Sequence, residues 1–252
     1  MRPVDYDERL HAVYAKGRSM SAQERNGWLQ AFERHLPRHR PLALLDLGAG
    51  IGRLTPGLAD TFGGPVTGVE PSARMREQAE KNAAHPDVTY LAGSAETIPL
   101  PRASCDGALV YFVWHHVADK GMGAQELHRV VRTGGRLLVR TNCSDRMPDV
   151  WWYRWFPRSA EVDRQMYRPF DAVVTDFTGA GWSFVTLDEV DMTSTTTMQE
   201  DYGRLRTRAL STFEHLTEEE ITDGFAAIEE ALGQVPDDTP VTSRSDLLVF
   251  ER

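Results

Sequence analysis

An α/β fold is what this sequence predicts: a doubly wound, mostly parallel sheet of seven strands, with helical insertions capping its ligand edge. Three observations carry that prediction. Strand and helix patterns alternate from residue 42 to about residue 141. A glycine turn closes the first of these strands and opens the first helix. Two further segments, at about 143–168 and 190–240, interrupt the later part with aromatic and helical sequence. Such alternation builds parallel strands joined by right-handed crossovers, with helices on both faces.

Residues 1–40 read as a helical cover for the domain formed by 41–252. Tyr6, Leu10, Val13 and Tyr14 recur at helical spacing up to Gly17. Ser21 with Glu24 then makes a capping box ahead of Trp28, Phe32 and Leu36 on one helix face. Strands are predicted at 42–47, 66–70, 87–91, 106–112 and 135–140, and helices at 53–62, 72–84 and 123–132. After the aromatic stretch that begins at Trp151 come a helix around 170–178 and a strand at 182–187. A helical insertion over about 196–234 carries a stripe of Met198, Tyr202, Leu205 and Ala209. It also carries a second capping box, Thr217 with Glu220, ahead of Ile221, Phe225, Ile228 and Leu232. A strand at 246–250 closes the chain. Ligands of such sheets lie beyond the carboxyl ends of the strands, where the strand order reverses.

Bulk properties narrow the class of partner. The 252 residues carry a net charge of −9, which disfavours non-specific nucleic-acid binding. No stretch approaches the roughly 20 apolar residues of a membrane span, and no apolar leader follows Met1. Two cysteines, Cys105 and Cys143, make neither a disulfide framework nor a zinc site, so no metal is expected and a reducing cytoplasm is the expected compartment. The expected partner is a small molecule, with no nucleic acid and no membrane, on a monomer or homodimer.

The chemistry starts at Leu44–Leu54, where an apolar run ends in Asp46 and glycine then takes every second position at Gly48, Gly50 and Gly52. Glycines let backbone approach a ligand closely, and free N–H groups at a helix start favour an anionic group. A dinucleotide loop would read G-x-G-x-x-G, whereas this one reads D-x-G-x-G-x-G. The second strand ends in Glu70, whose carboxylate suits the two hydroxyls of a ribose.

With these residues the chain resembles the class I S-adenosylmethionine-dependent methyltransferases, in particular the small-molecule type 11 group. Asp46, Gly48, Gly50 and Gly52 match the first motif of that family, and Glu70, Pro71, Ser72 and Met75 match the segment after the second strand. Gly93–Leu100 resembles its adenine-binding segment, Ser104–Val110 its fourth strand, and Arg129–Val139 its closing helix, turn and strand. The resemblance implies the Rossmann-like methyltransferase fold and S-adenosyl-L-methionine as cofactor. It implies that Asp46 and the loop at Gly48, Ala49 and Gly50, with Arg18, serve the amino-acid end. Tyr14 and Arg18, beside Gly17, either reach over the ligand or belong to a helical pair that covers one sheet edge. Glu70 would then serve the ribose, Pro71, Met75 and Ile98 the apolar slot for the ring, and Ser94 and Ala95 the edge of the adenine, with Glu96 and Tyr111 as further cofactor-binding candidates. Ser94 stands where the family often has Asp, which implies weaker adenine binding.

Tyr111–Val117 follows the fourth strand on the ligand rim. His115 or His116 is the candidate general base, since histidine titrates near neutrality. Trp114, Arg140, Asn142, Trp151, Trp152 and Trp155 are the candidate substrate residues, Arg140 as a carboxylate binder and the tryptophans as walls. The resulting expectation is methyl transfer to oxygen or nitrogen of a small molecule. The alternatives are a cyclase or another non-methylating use of the same cofactor, and a non-catalytic binding module.

Overall fold

The structure, a computed structural model, describes residues 17, 20–234, 236 and 239–252. The proposed first helix, with Tyr14 and Arg18, lies outside the described residues. Chain order runs α1 (Ala22–Glu33), β1 (Leu44–Leu47), α2 (Thr55–Phe62), β2 (Val66–Val69), α3 (Ala73–Asn82), β3 (Val88–Leu91) and β4 (Cys105–Tyr111). It continues with α4 (Lys120–Val130), β5 (Val131–Arg140), α5 (Pro157–Met166), α6 (Phe170–Thr178), β6 (Ser183–Thr197), α7 (Met198–Leu205), α8 (Glu218–Leu232) and β7 (Pro240–Glu251).

The seven strands form one sheet in the order β3-β2-β1-β4-β5-β7-β6. β1 to β5 pair in parallel, and β7 runs antiparallel to both β5 and β6. The order reverses between β1 and β4, which puts the ends of those two strands at the ligand position of an open α/β sheet.

Alternation along the strands divides the interior into two cores. Leu45, Leu47, Ala108, Val110, Leu137 and Val139 point to the face covered by α4 and α6, where they meet Leu127, Val173 and Phe177. Leu44, Leu109, Leu138, Leu247 and Val249 point to the other face and pack on Trp28, Phe32, Leu58 and Phe62 of α1 and α2. A residue period of two is what allows neighbouring side chains of one strand to serve opposite layers. The Ser21–Glu24 capping box forms as the sequence indicates, with both reciprocal bonds present.

The last two strands depart from the sequence reading. β6 continues ten residues past Leu187, to Thr197, and β7 begins six residues before Asp246. Their ladder extends from Ser183↔Glu251 to Thr197↔Pro240. The acids Asp188, Glu189 and Asp191 break the apolar pattern, but the threonine-rich sequence of 193–197 suits a pleated strand, and the ladder bonds do not depend on side-chain polarity. This ribbon carries α7 and α8 at its tip. There Trp152, Phe156, Leu205, Phe213, Ile221, Ile228 and Leu232 make a third, separate core.

Candidate active site

The glycine loop joins β1 to α2. Gly48, Gly50 and Gly52 have φ of 71°, 58° and 78°, a region that costs side-chain-bearing residues strain. At Gly48 there is a second reason, since a Cβ would lie 2.2 Å from a methyl of Val113. At Gly50 the nearest obstacle is the Met75 methyl at 3.7 Å, so the backbone there borders open space.

The loop N–H groups do not fan out as an anion cradle, which corrects one expectation. Gly48 and Ala49 both donate to the Val69 carbonyl, at 2.7 and 3.2 Å. Gly50 donates to Glu70 Oε2 at 2.9 Å, and Glu70 Oε1 accepts from the Ser72 N–H at 2.9 Å. The bonds stitch the ends of β1 and β2 together and fix the Glu70 carboxylate beside the loop. Each carboxylate oxygen has a second lone pair, so this anchoring leaves acceptor capacity for hydroxyls.

Asp46 is buried below the loop and accepts from Thr55 Oγ1 at 2.7 Å, which ties β1 to the first turn of α2. Burial raises its pKa to about 6, against the lowering effects of Thr55 and of Arg53. Burial also raises Glu70, opposed by the Ser72 and Gly50 N–H bonds and the Arg76 charge.

A cavity of about 740 Å³, mouth included, opens over these groups. Asp46, Gly48, Ala49, Gly50, Glu70, Pro71, Met75 and Tyr111 line it together with Arg53, Leu54, Phe112, Val113 and His116. Two carboxylates, Asp46 and Glu70, and the guanidinium of Arg53 are among the groups that border it. Of the two histidines, His116 reaches this cavity. His115 lies behind it, its ring 3.9 Å from that of His116 and 4.8 Å from that of Tyr167.

Ser94, Ala95 and Glu96 do not line this cavity. Ala95 is packed in the core, and Glu96 accepts the N–H groups of Ala118 and Asp119 while the Ser94 hydroxyl bonds its carboxylate. The segment is thereby fastened to the start of α4, and Arg129 holds its far end through the carbonyls of Ile98 and Leu100.

A second chamber of about 960 Å³ adjoins the first and shares Arg53, Tyr111 and Phe112 with it. Its other walls include Glu24, Trp28, Arg140, Trp152, Asp201, Arg204, Leu205 and Ser245. Phe112 stands at the junction with φ of 57°, a strained state for a bulky residue, pinned by its N–H bond to the Arg140 carbonyl at 2.8 Å. Burial raises the Asp201 carboxyl, opposed by its bond from Trp151 Nε1 at 2.8 Å.

The substrate residues expected from sequence divide. Arg140 and Trp152 line the second chamber. Trp114 is core: it is 1% exposed, donates from Nε1 to Asp176 at 2.9 Å and packs on Phe177. Asn142 accepts from Arg140 and faces an outer groove with Asp145 and Arg146. Trp151 serves Asp201 from behind, and Trp155 borders a groove on the outside of the insertion. Sequence reading did not assign Arg53 or Phe112 to the site, although both directly follow elements that it identified: Gly52 of the loop and the end of β4. Glu24, Asp201, Arg204 and Ser245 gave no local signal, because three separate chain segments bring them to one chamber.

Residues 45–139 match the family model described as a methyltransferase domain. Over that stretch the chain is similar to methyltransferase domains. An uncharacterized methyltransferase of Mycobacterium tuberculosis is 39% identical over 126 residues, 46% of this chain and 50% of that protein. The chain thus spans about half the length of the curated relatives it matches. Among solved structures, a methyltransferase assigned to an antibiotic biosynthesis pathway of Anabaena variabilis superposes with TM-score 0.72 at 21% identity, over 89% of this chain and 96% of that one. The [4+2]-cyclase SpnF gives 0.61 at 17%, over 94% and 84%. A geranyl diphosphate C-methyltransferase of Streptomyces coelicolor, solved with S-adenosyl-L-homocysteine, gives 0.58 at 16%, over 90% and 78%. At these identities the structural likenesses establish the methyltransferase-like fold alone. Among the described residues no helix is long and apolar enough to cross a membrane, and no cluster of ligating side chains could hold a metal ion.

Proposed function

We propose that the chain binds S-adenosylmethionine in the first cavity and directs its methyl group to oxygen or nitrogen of a small molecule held in the second. The observation that carries this reading is the junction: an acid-lined cavity behind the glycine loop opens, past Arg53, Tyr111 and Phe112, into a separate chamber with charged and aromatic walls.

When bound, the cofactor supplies a methyl group already activated on a sulfonium. Asp46 and Glu70 favour its positive charge and its hydroxyls, and Pro71, Met75 and Leu54 offer an apolar slot for the base. The protein then has to align an acceptor with the methyl and keep water out. Phe112 and Tyr111 stand where that alignment occurs. His116 is the group placed to take a proton from a hydroxyl or amine as the bond forms, a contribution on the order of 10²–10⁴ in rate. The choice of oxygen or nitrogen rests on His116, because the fold also houses a C-methyltransferase and a cyclase.

Calorimetry with S-adenosylmethionine and with NAD tests the cofactor assignment. Binding of the first and not the second is expected, and the Glu70→Ala variant should bind at least tenfold more weakly. Binding of NAD alone would overturn the reading. Incubation of methyl-labelled cofactor with an acceptor panel tests the reaction: label on an acceptor supports transfer, whereas label kept in methylthioadenosine with no acceptor modified supports the cyclase alternative.

A further inference from the structure

We propose that Thr55 is a positioning residue of the first cavity, its hydroxyl holding the Asp46 carboxylate in the orientation in which that group meets the methyl donor. The proposal rests on the cofactor reading and adds a residue that acts on the donor only through Asp46.

Thr55 opens α2 and is fully buried, at 0% exposure. Hydroxyls at a helix start commonly cap the backbone N–H groups there. Here Leu54 holds the N-cap position, no side chain caps the helix, and the Thr55 hydroxyl donates to Asp46 Oδ2 at 2.7 Å. Asp46 is buried too, yet it lines the cavity, whereas Thr55 is not among the lining residues. A carboxylate has about four acceptor positions, so one bond at Oδ2 restrains its rotation and leaves capacity for a ligand.

Tyr90 of β3 backs this pair. A Cβ at Gly52 would lie 2.3 Å from the Tyr90 hydroxyl, and one at Gly68 would lie 2.7 Å from its ring, so the phenol is wedged between the loop and β2. Its hydroxyl donates to the Ala83 carbonyl at 3.0 Å, and both Thr55 and Asp46 act on it. The glycine loop, the start of α2 and β3 thus meet behind one carboxylate.

A bond donated to a carboxylate favours the ionised form, which is the form that attracts a cationic donor. Thr55 therefore opposes the burial that raises Asp46, alongside the charge of Arg53. The other titratable groups around Asp46 are Glu70 at the end of β2, Tyr90 of β3, and Tyr111 and His116 from the end of β4 and the turn after it. Burial pushes the Tyr90 phenol up to about 12, so it stays neutral where Asp46 titrates.

The test is the calorimetric Kd of S-adenosylmethionine from about pH 5 to about pH 8, for the parent and for Thr55→Val, which keeps the shape of the side chain and loses its hydroxyl. Thr55→Val is expected to move the midpoint of the profile up by about one pH unit, the size of a lost hydrogen bond to a charged group, so that at about pH 6 it binds up to tenfold more weakly. Thr55→Ser, which keeps the hydroxyl, should restore the parent midpoint. Thr55→Ala is a second hydroxyl-free variant with the same expected shift, and it serves if the valine protein does not fold. The Asp46→Asn background isolates any contribution of Glu70 and His116, and there Thr55→Val should move no midpoint. A hydroxyl-free variant that lowers the urea midpoint but leaves the pH midpoint in place would overturn the proposal and reduce Thr55 to a tie between β1 and α2. An equal shift in the Asp46→Asn background would overturn it as well. Failure of the cofactor reading would show separately, as absence of S-adenosylmethionine binding by the parent at every pH.

Discussion

On the proposed assignment, the buried acid Asp46 would couple cofactor affinity to pH. Its pKa stands at about 6 against an ordinary 3.8, so the folded chain holds a proton that the unfolded chain has released at the same pH. Stability of the unliganded protein therefore falls as pH rises from about 4 to about 6, by on the order of 3 kcal/mol at about 1.4 kcal/mol per unit. Affinity for a cationic ligand runs the other way, since only the ionised carboxylate attracts it. Calorimetric Kd for S-adenosylmethionine is expected to be flat above about pH 7 and to weaken as pH falls through about 6, approaching tenfold per unit. In Asp46→Asn the affinity should be weaker throughout and this pH dependence absent. A parent profile that is flat down to pH 5 would remove Asp46 from the site. His116 carries the complementary prediction. Its replacement by Asn should lower kcat by roughly 10²-fold or more and abolish the acidic limb of the kcat profile, with cofactor affinity within a few fold. His115→Asn, one position behind the cavity wall, should leave that limb in place.

Elements explain how much of this was legible in the sequence. The core strands, the glycine loop and the Ser21 and Thr217 capping boxes stood in local pattern, because each is decided by residues within a few positions of one another. The reach of β6 and β7 was not local. Their ladder pairs residues such as Asp191 with Arg244, more than fifty positions apart, and polar faces along the ribbon hide the strand period. Trp114 shows the opposite failure. Its neighbours His116 and Val113 face the cavity, but a 3₁₀ turn over Trp114–His116 rotates the indole inward onto Phe177 and Asp176. The capping box of α8 gives a prediction at this scale. Thr217 Oγ1 accepts the Glu220 N–H at 3.2 Å and Glu220 Oε2 accepts the Thr217 N–H at 2.7 Å. Thr217→Ala should cost about 1 kcal/mol, seen as a lower urea midpoint at unchanged slope. Cofactor affinity should not change, because α8 packs in the third core and none of its described residues lines the first cavity.

At the scale of the whole molecule, the two cores on either side of the sheet are separate from the third, which joins the aromatic stretch at Trp152–Phe156 to α7 and α8. The first cavity is built by the ends of β1, β2 and β4, the segments that follow them and Met75 of α3, whereas the second takes Trp152, Asp201, Arg204 and Leu205 from this outer unit. Binding of the cofactor and use of the acceptor should thus be separable by a change confined to the third core. Gly224 of α8 is the place to make it: an added Cβ would lie 2.3 Å from Cε1 of Phe156, inside a ring that cannot swing aside as a flexible chain end would. Gly224→Ala is expected to cost about 1–3 kcal/mol through overpacking, offset in part by the better helix propensity of alanine. The strain pushes α8 away from Phe156, and the displacement passes to Trp152, whose ring lies 5.8 Å from that of Phe156 and which forms part of the chamber wall. Calorimetry should return a cofactor Kd within twofold of the parent, while KM for an acceptor rises and kcat/KM falls at least tenfold. If both ligands weaken together, the outer unit acts on the fold as a whole and is no separate cap. If neither changes while stability drops, the third core braces the ribbon and leaves acceptor binding to the sheet, and the assignment of Trp152 and Asp201 to the acceptor chamber fails with it.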